Sequence, residues 1–299
     1  MLSVAKPVQS VAVVGAGLMG RRIAGLMAAA GLRTVLSDTN EMVLDEGLDA
    51  ARRMAGDNEG LVTMDPDVAS AVSGADLVIE AIIEDLEAKR ALFARLHAAN
   101  PEAILASNSS VIAISAIAAD IDDSARCVGM HFWNPPDLIP IVEVIRGMGT
   151  SDETMDRAME VLARIGKLPV RVNRDVPGFV GNRMQHALWR EAIDLIATGV
   201  CDAETVDLVV RNTLGLRLGA MGPIENADYV GLDLTLAIHE QVLPSLNRDP
   251  HPSPLLEELV ALGKLGAKSG EGFRHWGPGD REAAAARLAA HIAAQLDSK

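Results

Sequence analysis

A histidine and a glutamate are the clearest candidates for acid–base chemistry in this sequence. His131 follows the apolar run 127–130, and Glu143 lies inside the apolar run 139–145. A charge in a buried strand is costly unless it has a partner. An imidazole is a natural partner, because the carboxylate orients its ring and stabilises its protonated form. We therefore predict a His131–Glu143 pair that moves a proton near neutral pH; the alternative is a core histidine with a structural carboxylate.

A glycine-rich segment near the start of the chain matches the fingerprint of a dinucleotide-binding loop. The predicted loop residues are Gly15, Gly17, Leu18, Met19 and Gly20. The first glycine permits the tight turn, the second lets the backbone approach a pyrophosphate, and the third lets helix and strand pack closely. The helix that follows would offer free N–H groups to the phosphates. The alternative is an ordinary structural glycine turn.

An acidic residue after the second predicted strand indicates which dinucleotide is bound. Asp38 follows the apolar run 34–36, eighteen residues past Gly20. A carboxylate at this place accepts hydrogen bonds from the adenosine ribose hydroxyls. Its charge would also repel a 2′-phosphate, so we expect NAD rather than NADP as the cofactor.

Alternating strands and helices must position these groups. Strands are predicted over 11–14, 34–36, 75–80, 104–106, 127–130, 139–145 and 168–172, and helices over 18–30, 40–56 and 86–98. This alternation predicts an α/β fold with a doubly wound parallel sheet of the Rossmann type. The pattern turns helical after Pro177, which could open a long helix. We therefore predict an NAD-binding domain over 1–175 and an all-helical domain over 176–299.

Composition excludes several classes of protein. The formal net charge of −14 disfavours binding to nucleic acid or to an anionic membrane. Two cysteines, Cys127 and Cys201, exclude a disulfide scaffold and a multi-cysteine zinc site, and we expect buried thiols. Residues 1–10 lack a long apolar segment and no run of about 18 apolar residues occurs, so we expect neither a secretory signal nor a membrane span. We expect a cytoplasmic protein without a metal.

Together with blocks further along the chain, these motifs resemble the 3-hydroxyacyl-CoA dehydrogenase family. The matching blocks are Gly15–Gly20, Glu80–Leu86 with Lys89, Ser107–Ser110, His131–Pro135, Glu143, Pro177–Arg183, Gly222–Pro223, Asp228–Asp233 and Lys268–Phe273. The resemblance covers the chain from about residue 10 to residue 276. The resemblance implies an NAD-dependent dehydrogenase acting on CH–OH groups, with His131 as the base and Glu143 as its partner.

The resemblance also implies roles for other residues. Ser110 and Asn182 would hydrogen-bond the reacting oxygen of the substrate. Asn134 and Ser110 would lie beside the nicotinamide, and Glu84 and Lys89 near the ribose and phosphates of the cofactor. The helical second domain would form a homodimer and close the substrate cleft.

The segment after the second strand departs from the members of the family that use coenzyme A. Those members have a longer helical hairpin there, with basic and hydroxyl residues. Here only about forty residues separate Asp38 from Glu80, and the stretch between has two basic residues, Arg52 and Arg53. The blocks resemble more closely the members acting on small polar molecules, such as L-carnitine dehydrogenase, L-gulonate 3-dehydrogenase and the pyridine-aldehyde dehydrogenase of vitamin B6 breakdown.

We therefore predict hydride transfer between NAD and a small hydroxy or keto substrate that carries a carboxylate. One alternative is a 3-hydroxyacyl-CoA dehydrogenase of the 3-hydroxybutyryl-CoA type. A second alternative, from another class, is a catalytically silent NAD-binding structural or sensor protein.

Three residues of the second domain are candidates for substrate contact. His186 and Trp189 share a helix face with Asn182, so they would shape the pocket or belong to the domain core. Arg217 could clamp a substrate carboxylate, because its guanidinium forms paired hydrogen bonds with such a group. The alternative for Arg217 is an ordinary surface charge.

Overall fold

A computed structural model describes residues 7–297, which form two compact units. The first unit ends at Arg183 and the second begins at Met184. The domain boundary expected between residues 175 and 176 stays a prediction.

One eight-stranded sheet lies in the first unit, within the part of the chain that the structure describes. Its strands are β1 (Ser10–Val14), β2 (Arg33–Ser37), β3 (Val62–Met64), β4 (Leu77–Glu80), β5 (Ile104–Ser107), β6 (Cys127–Phe132), β7 (Ile141–Ile145) and β8 (Leu168–Val172). Their spatial order is β3-β2-β1-β4-β5-β6-β7-β8. The sequence predicts every one of these strands except β3, which has three residues and only one buried side chain, too few for a periodic signal.

The α/β fold is confirmed, but the sheet is not entirely parallel. All neighbouring strands run parallel except β6 and β7, which are antiparallel. Their connection spans residues 133–140, which is too short for the crossover that a parallel pair needs. This hairpin makes His131 and Glu143 direct cross-strand partners.

Helices cover both faces of the sheet. Those that lie wholly within the described part of the first unit are α1 (Leu18–Ala29), α2 (Glu41–Ala55), α3 (Val68–Val72), α4 (Leu86–Ala99), α5 (Ile114–Ile117) and α6 (Asp152–Arg164). Buried side chains of α1, α2 and α6 form one core on one side, and those of α3, α4 and α5 form a second core on the other. Burial on both faces explains why the strands are almost continuously apolar.

The second unit is helical. Its helices are α7 (Gly181–Ala197), which begins in the first unit, α8 (Ala203–Asn212), α9 (Leu214–Leu218), α10 (Pro223–Val230), α11 (Leu232–Val242), α12 (Pro254–Ala261) and α13 (Asp280–Asp297). The expectation that Pro177 opens α7 is wrong. Gly178 and Phe179 have φ values of 75° and 49°, outside the right-handed helical region, so the helix starts only at Gly181.

The two cysteines lie in different surroundings. Cys127 is buried, and this burial, together with the nearby Asp123 charge, raises the pKa of its thiol to about 12. Cys201 is only partly buried, so the expectation of two buried thiols holds for Cys127 alone. Among residues 7–297, no helix has the length and apolar character to cross a membrane.

Candidate active site

The predicted acid–base pair is formed by facing residues of β6 and β7. His131 Nδ1 lies 2.8 Å from Glu143 Oε2, and both side chains are almost fully buried. Because a carboxylate only accepts hydrogen bonds, Nδ1 carries the proton in this contact. The other ring nitrogen, Nε2, is thereby left as the basic atom.

The second oxygen of Glu143 binds the start of α7. Glu143 Oε1 accepts hydrogen bonds from the backbone N–H groups of Val180 at 3.0 Å and Gly181 at 3.1 Å. Burial by itself would raise the pKa of Glu143. The hydrogen bond from His131 and these two N–H groups outweigh it, so the pKa is lowered. A helix N-terminus also favours an anion, so Glu143 is ionised at neutral pH.

Aromatic rings enclose the histidine. The His131 ring centroid lies 5.1 Å from that of Trp133 and 5.8 Å from that of Phe179. Trp133 also packs against Gly181 so closely that a Cβ there would lie 2.2 Å from its ring. The imidazole is therefore restrained by packing as well as by Glu143.

A short turn begins at the last residue of β5 and spans residues 107–111; we call it the serine turn, and it brings further predicted site residues to the pair. Asn108 Oδ1 accepts a hydrogen bond from the backbone N–H of Phe132, at 2.9 Å, directly after His131 in the chain. Asn182 donates through Nδ2 to the backbone carbonyl of Ser110, also at 2.9 Å. Ser110 and Asn182 therefore meet at the same edge of the sheet as the histidine.

Glu84 and Lys89 lie beside the serine turn. Glu84 accepts from the Ser110 N–H at 2.9 Å and pairs with Lys89 at 3.2 Å. Burial alone would raise the pKa of Glu84, but the hydrogen bond from Ser109 and the charge of Lys89 outweigh it and lower the pKa. Lys89 is only 1% exposed, and its ammonium also pairs with Glu80 at 2.6 Å. It therefore lies behind Glu84, and its direct contact with a cofactor stays a prediction.

The three glycines of the loop differ in the space around them. A Cβ at Gly15 would meet the Ala81 carbonyl at 2.6 Å, and one at Gly20 would meet the Gly15 carbonyl at 1.7 Å. A Cβ at Gly17 would have no neighbour within 4 Å, so this side of the loop is open. Helix α1 begins there without a side-chain cap, which leaves its first N–H groups for an anion.

Leu18 and Met19 form the first turn of α1, as predicted, and Leu18 is about half exposed. Asp38, at the end of β2, accepts a hydrogen bond from the Ala16 N–H at 2.8 Å. The carboxylate therefore lies at the edge of the loop, where a ribose would follow the pyrophosphate. These residues fit an NAD adenosine and pyrophosphate.

Asn134 lies in the 133–140 hairpin loop, where it is exposed and precedes a cis peptide bond to Pro135. This loop is held to α1 by an ion pair between Arg22 and Asp137, at 2.6 Å. This pair has no signal in the sequence, because 115 residues separate its members and neither belongs to a motif.

The three candidate substrate residues belong to the second unit. The rings of His186 and Trp189 form an edge-to-face pair with centroids 5.0 Å apart, and both side chains are exposed. Arg217 is an exposed residue of α9. The roles of these residues in substrate binding stay predictions.

Two family profiles match nearly the whole chain. Residues 10–176 match the profile described as 3-hydroxyacyl-CoA dehydrogenase, NAD binding domain. Residues 178–276 match the profile described as 3-hydroxyacyl-CoA dehydrogenase, C-terminal domain.

Individual relatives are similar over most of their length. A probable 3-hydroxybutyryl-CoA dehydrogenase of Deinococcus radiodurans is 40% identical over 275 residues, which are 87% of this chain and 98% of that protein. The 5-formyl-3-hydroxy-2-methylpyridine 4-carboxylate 5-dehydrogenase of Mesorhizobium japonicum is 35% identical, over 96% of this chain and 97% of that one. A crystal structure of an enzyme with this pyridine substrate, described as an NAD⁺-dependent dismutase, has a TM-score of 0.88 and 34% identity, covering 96% of this chain and 97% of that chain.

Proposed function

Since this chain belongs to the 3-hydroxyacyl-CoA dehydrogenase family and is an NAD-dependent oxidoreductase acting on CH–OH groups, we propose that it interconverts a small hydroxy compound and the corresponding carbonyl compound. The observation that carries this proposal is the 2.8 Å contact between the buried His131 ring and Glu143. A carboxylate with a lowered pKa beside an imidazole is an arrangement suited to proton transfer near neutral pH.

In the proposed reaction, His131 Nε2 takes the proton of the substrate hydroxyl. Bound NAD would supply the acceptor for the hydride that leaves the same carbon. The imidazolium that results is stabilised by the charge of Glu143. Ser110 and Asn182 donate hydrogen bonds to the reacting oxygen, and the glycine loop, Asp38, Glu84 and Asn134 hold the cofactor.

The segment between β2 and β4 supports a small substrate rather than a coenzyme A ester. It contains α2, one short 3-10 helix, β3 and α3, without a protruding helical hairpin among these described residues. Of its two basic residues, Arg52 already donates Nε and Nη2 to the Val62 carbonyl. The segment therefore offers few cationic groups for the several phosphate charges of coenzyme A, and one of the two is already bonded to the backbone. The Mesorhizobium relative, named for a pyridine carboxylate, supports an acid as the substrate, with Arg217 as its clamp.

A second candidate is oxidation of a 3-hydroxyacyl-CoA. It is favoured by the 40% identity to the Deinococcus protein, which is named for 3-hydroxybutyryl-CoA. The two candidates share the chemistry at His131 and differ only in what the rest of the substrate carries.

The test is a substrate screen that follows NADH absorbance, with free hydroxy and keto acids, their uncharged analogues, and acetoacetyl-CoA. We expect turnover with a free acid and little with the ester; efficient use of acetoacetyl-CoA alone would support the second candidate. With the best substrate, His131→Ala should lower kcat by about 10²–10⁴-fold and leave NAD affinity largely unchanged. The control is His291→Ala, which changes an exposed histidine of α13. Full turnover by His131→Ala would contradict the mechanism.

We also propose that the active species is a homodimer formed through the second unit. Large apolar side chains of this unit are exposed, including Tyr229 at 78%, Ile224 at 76% and Leu216 at 71%. Monomeric proteins rarely leave this much apolar surface in water, and a second copy of the chain is the simplest cover. The cytoplasmic location expected from the sequence stays a prediction.

A further inference from the structure

Glu80, a buried carboxylate at the end of β4, has no part in the proton transfer described above. It is completely buried, yet both of its oxygens have partners. Oε1 accepts from Lys89 Nζ at 2.6 Å and from the Ile82 N–H at 2.8 Å. Oε2 accepts from the Ser107 hydroxyl at 2.6 Å. Burying a charge is costly, and these hydrogen bonds offset that cost.

The first route from Glu80 to the serine turn passes through Ser107. The Ser107 hydroxyl gives its proton to Glu80, and its oxygen accepts the Ser109 N–H at 3.1 Å. Since the hydroxyl has only one proton, the carboxylate of Glu80 determines the direction in which the O–H bond points. Glu80 therefore orients the oxygen that fixes the beginning of the turn.

The second route passes through Lys89 and Glu84. Lys89 bridges the two acids, at 2.6 Å from Glu80 and 3.2 Å from Glu84. Glu84 Oε1 then accepts hydrogen bonds from the Ser109 hydroxyl and from the backbone N–H groups of Ser110 and Val111. One carboxylate oxygen thus determines the path of three consecutive residues.

The charge of Glu80 is required for this second route. Lys89 is 1% exposed, whereas Glu84 is 35% exposed. A buried ammonium is tolerated only with a close counter-charge. With a neutral residue at position 80, Lys89 would keep only the partly exposed Glu84 as a counter-charge, and both side chains would relax toward water.

Both routes end where the proposed chemistry takes place. The serine turn carries Ser110, hydrogen-bonds the backbone directly after His131 through Asn108, and accepts from Asn182. A displacement of the turn would therefore move the groups that contact the reacting oxygen.

We propose that Glu80 is a positioning residue, which holds the serine turn in its reactive geometry through Ser107 and through the Lys89–Glu84 pair. This proposal rests on the proposed function, because the turn matters for catalysis only if Ser110 and Asn182 contact the substrate.

The test compares Glu80→Gln and Ser107→Ala with the control Glu87→Gln, which removes an exposed acid of α4 that pairs with Arg90. Glu80→Gln should lower kcat by about 10–100-fold, because small misplacements of reacting groups have effects of this order. The pH midpoint of kcat/KM should not move, since the His131–Glu143 contact is intact. Hydrogen exchange of the Ser110 and Val111 amides should become faster, as measured by mass spectrometry of the peptides that contain them.

Ser107→Ala removes the hydrogen bonds of the first route without altering a buried charge. It therefore tests the proposal even if Glu80→Gln fails to fold. It should give a smaller loss of kcat and of amide protection than Glu80→Gln, in the same direction. A folded variant at either position with the kcat and the amide protection of Glu87→Gln overturns the proposal. A failure of the proposed function is recognised separately: His131→Ala would then keep full activity, while the exchange measurement would still report whether Glu80 holds the turn.

Discussion

At the scale of single residues, the geometry of the site depends on the different hydrogen-bond partners of the two oxygens of one carboxylate. Glu143 gives one oxygen to His131 and the other to two backbone N–H groups at the start of α7. The lowered pKa keeps the group charged, and the charge selects the tautomer in which His131 Nε2 is free to act as a base. The tautomer of His131 therefore depends on the negative charge of the residue at position 143.

Replacing this acid by its amide tests the tautomer. In Glu143→Gln, the amide oxygen still accepts from the α7 N–H groups, so the amide nitrogen faces His131 and donates to Nδ1. The ring then carries its proton on Nε2, and we expect kcat to fall by about 10²–10⁴-fold, the range of general acid–base catalysis. The control is Glu46→Gln, an exposed acid of α2. Activity of Glu143→Gln equal to that control would contradict the assignment of Nε2 as the base.

The same variant has a predicted pH dependence of stability. The folded pKa of Glu143 lies below its ordinary value of 4.5, so its contribution is complete above pH 4.5 and is lost as pH falls through the folded pKa. In urea titrations, the difference in unfolding free energy between wild type and Glu143→Gln should be largest at neutral pH and shrink below pH 4.5. A difference that grows toward acid pH would show that the folded pKa is raised.

At the scale of elements, the glycines of the loop between β1 and α1 have different surroundings. Gly20 has no room for a side chain, because a Cβ would overlap the Gly15 carbonyl. Gly17 has room, and its φ of −63° suits any residue. Packing therefore explains Gly20, whereas we attribute Gly17 to the approach of the cofactor's pyrophosphate.

This contrast can be measured with two alanine variants. Gly20→Ala should lower Tm strongly, because the clash is with backbone and forces α1 away from β1. Gly17→Ala should leave Tm almost unchanged but weaken NAD binding in calorimetry by about tenfold or more, since one methyl group then stands where the pyrophosphate approaches. If Gly17→Ala binds NAD like wild type, the pyrophosphate does not approach the backbone at this residue.

At the scale of the whole molecule, the two units differ in how they satisfy their apolar residues. The first unit encloses two cores around its sheet. Helices α8 to α12 contain no buried residue, although they are rich in leucine, valine and isoleucine. Such helices need a partner surface, because amphipathic helices gain most of their stability from packing.

We expect light scattering after size-exclusion chromatography to give the mass of a dimer. Ile224→Arg places a charge on the exposed face of α10 and should produce monomers with a lower Tm, because the interface can no longer exclude water. The control is Met148→Arg, which changes a 91% exposed side chain of the first unit and should leave the dimer intact. A wild-type chain that elutes as a monomer at micromolar concentration would contradict the proposed dimer.

The local pattern of the sequence determined the family, the NAD-binding domain and most elements, because these depend on short-range features. Short apolar runs predicted every strand except β3, and the spacing of the glycines identified the loop at the end of β1. His131 and Glu143 could be singled out from one chain, since a charge in an apolar strand is unusual wherever it occurs.

Only the tertiary structure decided how distant residues meet. The antiparallel hairpin places His131 opposite Glu143. Because the backbone at Gly178 and Phe179 is left-handed, α7 begins only at Gly181, whose N–H group donates to that carboxylate. The burial of Lys89 between two acids likewise has no local signal. Side-chain contacts of this kind depend on the register of strands and the packing of helices far apart in the chain, which no short stretch of sequence contains.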